Sequence, residues 1–65
     1  MRGYSQKQVN EMLELRKMYN SLSDIEEQKA EYYNNIGDIV NRNKHLYKSV
    51  YYMEKVIEIE DKLYY

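Results

Sequence analysis

The 65-residue chain contains no cysteine, no proline, no phenylalanine and no tryptophan, and only two glycines. Without cysteine there is no disulfide staple, no thiolate metal site and no redox chemistry, so a chain this short must gain stability from helix packing or from a partner. Self-association is expected for that reason. Without proline, and with glycine scarce, few positions can break a helix. Long apolar runs are missing too. The longest, Val50 to Met53, is far short of a membrane span, and the segment Met1-Arg2-Gly3-Tyr4-Ser5-Gln6 lacks the apolar core of a secretory signal. The expectation is a soluble, cytoplasmic chain with no membrane partner. Neither sign of charge dominates: ten Lys and Arg against eleven Asp and Glu leave a net charge of −1. That balance argues against global attraction to nucleic acid or anionic lipid and leaves only local patches. At this length residues 1–65 form one domain, with too little chain for a deep cleft, which excludes a multidomain enzyme.

What is present in excess is tyrosine, nine residues, together with seven Lys, six Asn, five Ile and four Met. These five types, all with AT-rich codons, make up 31 of 65 residues. The bias points to a low-GC genome, such as that of a low-GC Gram-positive bacterium, its phages or its plasmids. Short single-domain proteins from such mobile elements are often regulators or inhibitors. Tyrosine adds large, rigid contact area with a polar tip and suits partly wet interfaces.

Apolar residues recur at helical rather than alternating spacing, which predicts an all-α chain. A first helix is expected from Ser5 to about Asn20, opened by a Ser5-x-x-Gln8 capping box, with Val9, Met12, Leu13, Tyr19 and Leu22 on its apolar face. A second Ser-x-x-Glu box, Ser23 to Glu26, places a turn near 20–23 and opens a second helix running over 24–63. Along that helix a heptad can be counted, with Lys29, Ile36, Asn43, Val50, Ile57 and Tyr64 at a and Ile25, Tyr32, Ile39, Leu46, Met53 and Glu60 at d. Its core, Ile36, Ile39, Asn43, Leu46, Val50, Met53 and Ile57, predicts a coiled-coil-like homodimer of hairpins with a buried Asn43 as register device. At about 1.5 Å per residue the long arm would reach roughly 60 Å and the short one about 24 Å. One alternative breaks the second helix at 41–44 and gives a three-helix bundle; another hinges the chain at Gly37 with Asp38 as cap.

The stripe Tyr52, Val56, Ile59 and Leu63 has no partner in the dimeric reading. With Tyr51 and Lys55 it forms the candidate surface for an unidentified host protein, and its other reading is an internal core stripe. Arg42, Lys44 and Lys48 lie near Tyr51 in a stretch without acids, 39–53, and form a candidate nucleic-acid patch over 42–52. Catalysis has little support. His45 is the only histidine, a hydroxyl such as Ser49 would need a rigid pocket, and the Glu54–Glu58 pair lacks further ligands. No cofactor and no metal are expected. The function expected is therefore a small non-enzymatic protein-interaction module, with a nucleic-acid binder and a self-assembling scaffold as alternatives.

Overall fold

A computed structural model describes residues 3–65. It is an all-α hairpin of two antiparallel helices, α1 (Gln6–Asn35) and α2 (Ile39–Tyr64), 49 Å long, 16 Å wide and 11 Å thick. The start of α1 follows the sequence reading. Ser5 Oγ accepts from Gln8 N–H at 3.2 Å, and Gln8 Oε1 accepts from Ser5 N–H at 2.9 Å, so two orphan donors of the first turn are satisfied reciprocally.

The turn is not at 20–23. The chain passes through that segment as unbroken helix, so α1 has 30 residues and α2 has 26, and the arms are nearly equal. No glycine or proline at 20–23 enforces a break, and helical residues on both sides carry the chain through it. Ser23, read as a cap, is instead 1% exposed, and its hydroxyl lies 2.9 Å from Ser49 Oγ across the interface. The reversal comes at Ile36–Asp38. Gly37 takes φ +77°, its N–H bonds Asn34 O at 3.1 Å, and Asp38 N–H bonds Tyr33 O at 2.9 Å. This 5→2 and 6→1 pair closes α1 in a Schellman turn, where glycine avoids the steric penalty of a left-handed residue. Asp38 then caps α2 by accepting from Asn41 N–H at 3.1 Å, and Asn41 Nδ2 adds a bond at 2.7 Å. Both bonds favour the carboxylate and hold Asp38 below its usual pKa range. The helix also runs through 41–44 without a break, which removes the three-helix alternative.

The residues facing each other between the arms recur at helical spacing. On α1 they are Val9, Met12, Arg16, Tyr19, Ser23, Glu26, Ala30 and Tyr33; on α2 they are Arg42, His45, Ser49, Tyr52, Val56, Ile59 and Leu63, each buried or half-buried. At the open end, Val9, Ile59 and Leu63 form an apolar cluster against which Tyr4, Met12, Leu13 and Tyr19 pack. Toward the turn the same interface becomes polar, built from Ser23, Glu26, His45 and Ser49.

Candidate protein-interaction surface

The stripe Tyr52, Val56, Ile59 and Leu63 belongs to the hairpin itself. Val56 and Leu63 are only 2% and 3% exposed, Ile59 is buried, and Tyr52 stacks on Tyr19 with ring centroids 6.1 Å apart. These four residues are core and not a free docking surface, because α1 is long enough to cover them. Of the partner-binding set only Tyr51 and Lys55 reach solvent, with the Lys55 ammonium 5.3 Å over the Tyr51 ring and 3.6 Å from Glu58. The candidate nucleic-acid set is also divided. Arg42 is turned to Asn34 Oδ1 at 3.0 Å and Asn43 Oδ1 at 3.1 Å, whereas Lys44, Lys48 and Tyr51 are exposed along one flank of α2.

The heptad seam lies open. Ile36, Ile39, Leu46, Val50, Met53 and Ile57 are all more than a third exposed, Val50 and Ile57 more than half. Asn43, expected to be buried, is half-buried and occupied by Arg42. A simple offset explains where the seam sits. Leu46, Val50, Met53 and Ile57 each follow a residue of the hairpin interface by one position, a rotation of about 100° around α2. On α1 a second exposed apolar stripe, Leu15, Met18, Ile25 and Tyr32, precedes interface positions by one, the opposite rotation. Because the helices are antiparallel, forward steps on both helices share one broad face and backward steps share the other. The surface clefts agree: Glu27 and Glu31 line one with Leu46, and Leu15 lines another with Lys62.

Charge sorts in the same way. Beside the α2 stripe, the α1 edge carries Asp24, Glu27 and Glu31, with Lys17 as the opposing charge, and Glu60 adds a further acid from α2. Beside the α1 stripe, the α2 edge carries Lys44, Lys48, Lys55 and Lys62 with Glu58, and α1 adds Lys29 and Glu11. The hairpin thus has one acidic and one basic broad face, each holding an apolar stripe from the other helix. The sequence holds a trace of this sorting, the acid-free stretch 39–53 opposite the acids at 24, 27 and 31, but it becomes a face only once the turn is placed.

Between the two faces runs the polar layer. His45 Nδ1 donates to Glu26 Oε2 at 2.5 Å, and the imidazole stacks on Tyr33 at 5.3 Å between centroids with an interplanar angle of 5°. The His45 bond holds the Glu26 carboxyl below its ordinary range; burial opposes this, and the positive charges of Lys29, His45 and Lys48 add to it. Ser49 Oγ donates to Glu27 Oε1 at 3.3 Å. His45 and Ser49 are therefore each engaged with a carboxylate of α1. Among the described residues no group of three or more His, Cys, Asp or Glu side chains is placed to hold a metal ion, and no helix is long and apolar enough to cross a membrane. No protein-family model, no curated protein and no solved structure matches the chain.

Proposed function

We propose that this chain is a small non-enzymatic protein-interaction module that binds apolar helical surfaces bordered by opposite charge. The observation that carries the reading is the pair of exposed apolar stripes on opposite faces, each beside a charged edge of one predominant sign. Isolated exposed apolar side chains are ordinary, but a continuous stripe with a charged border has the form of a helix-docking site. Its buried hydrophobic residues, Val9, Ala30, Val56, Ile59 and Leu63, are few, and a core of this size is normally supplemented by a partner. The length and codon bias support the finer reading of a cytoplasmic regulator or inhibitor, carried by a phage or other mobile element and directed at a host protein.

The test uses two synthetic amphipathic helices, one with lysines and one with glutamates beside a leucine stripe, titrated onto the isotope-labelled chain at low concentration. The lysine peptide should shift the amide resonances of Leu46, Val50 and Met53, and the glutamate peptide those of Met18, Ile25 and Lys48. Absence of saturable shifts with both peptides overturns the reading. The exposed Lys44, Lys48 and Tyr51 favour the nucleic-acid alternative. It predicts salt-sensitive binding of a single-stranded oligonucleotide on that same face.

A further inference from the structure

We infer that the partner which the two faces fit is a second copy of this chain, the acidic face of one copy seated on the basic face of the next. The inference rests on the protein-binding reading above and names its occupant. Charge decides between the ways in which two hairpins can meet. Placing acidic face on acidic face would join the two α2 stripes but bring together two surfaces on which Asp24, Glu27 and Glu31 predominate, and basic on basic repeats the problem with lysines. Acidic on basic satisfies both the apolar and the charged halves of each face.

A single rotation achieves this. Both stripes are centred close to the level of the Ser23–Ser49 contact. A half-turn about the face normal at that level lays the α2 stripe of one copy along the α1 stripe of the next. The same half-turn carries the Asp24, Glu27 and Glu31 edge over Lys48 and Lys55. The available area is adequate: a face of 49 by 16 Å projects about 780 Å², against about 800 Å² per partner in a stable protein interface. Since the two faces are opposite sides of one hairpin, each contact leaves one face free at either end. Such a heterologous contact is open-ended, so copies add beyond two.

The experiment blocks one face at a time. Val50→Asp spoils the acidic face and Ile25→Asp the basic face; both positions are exposed, so helicity by circular dichroism should be retained. Light scattering and sedimentation velocity at low salt should show the unmodified chain growing past the dimer as concentration rises, and shrinking in 0.5 M salt (about a 4 Å Debye length). Each variant alone should sediment as a single 8.0 kDa chain. Mixed, the two variants should form a one-to-one pair that grows no further, because each supplies the face the other has lost. An unmodified chain that stays monomeric overturns the inference. So does a homodimer that survives one substitution and not the other, which is the mark of like-on-like pairing. A chain that binds the synthetic helices but not itself leaves the protein-binding reading standing and removes only this inference. Growth that depends on co-purified nucleic acid, seen as excess 260 nm absorbance, also overturns it.

Discussion

The two ends of the hairpin interface are held by different forces. At the open end Val9, Ile59 and Leu63 exclude water, while near the turn Ser23 bonds Ser49 and Glu26 bonds His45 across the interface. Apolar burial is strong but tolerant of sliding, since one aliphatic side chain substitutes for another with little loss. A buried bond between particular atoms is satisfied in one alignment only, and breaking it leaves a desolvated group without a partner. The open end therefore supplies most of the cohesion, and the turn end fixes which residue lies opposite which.

The contrast can be broken most severely at the apolar end. Ile59→Ala or Leu63→Ala should cost roughly 2–4 kcal/mol by removing transfer energy and leaving a void, read as a fall in the denaturation midpoint of a dilute sample. His45→Ala should cost less, about 1–3 kcal/mol, because it leaves the Glu26 carboxylate buried without its donor. Adding Glu26→Gln to that variant should recover part of the loss, and no recovery would mean that the pair does not act as a unit. Acid probes the same contact. The folded-state pKa of Glu26 is depressed, so the stability it contributes is complete above the unfolded pKa of about 4.3 and is lost as pH falls through the folded value. A Glu26→Gln chain should lose less stability between pH 6 and pH 3 than the unmodified one. Gly37→Ala should cost about 1 kcal/mol from its positive φ alone, since an added Cβ meets nothing within 4 Å. The smallest effect belongs to Ser23→Ala combined with Ser49→Ala, small in stability because both partners of the buried bond are removed together and Glu27, the other acceptor of Ser49, is exposed and regains its bond from water.

Much of this fold is legible in the sequence, and the parts that are not share one cause. The Ser5 box, the all-α class, the glycine hinge at 37 with its Asp38 cap, and the repeat from Tyr52 to Leu63 follow from local chemistry. The upper half of the hairpin interface does not, because its inward positions are Ser23, Glu26, Ala30, His45 and Ser49, which hydropathy reads as solvent-facing or neutral. The Ile36 to Ile57 heptad is more apolar than the true seam and so attracts the assignment of core, although it lies about one residue's rotation away. Ser23 and Glu26 carry the letters of a capping box while serving as a buried cross-helix layer. Only the position of the turn separates these uses, and in the sequence a glycine at 37 competes with the serine box at 23. The interaction surface inherits the same ambiguity: with the turn at 20–23 the stripe near the C-terminal end is left bare, and with the turn at 37 the bare stripe is the heptad.

The tight turn also orders events in time. Glu26 and His45 are 19 residues apart in the chain, whereas Arg16 and Tyr64, bonded at 3.3 Å near the open end, are 48 apart. Joining the distant pair first would cost about 0.8 kcal/mol more loop entropy than joining the near one. Loop entropy alone therefore favours closing the hairpin from Gly37 outward, so the polar layer is expected to set the alignment before the larger apolar contacts engage. In the folded chain the Glu26–His45 contact, close to the turn, holds the two arms in the alignment that the distant Val9–Leu63 cluster needs.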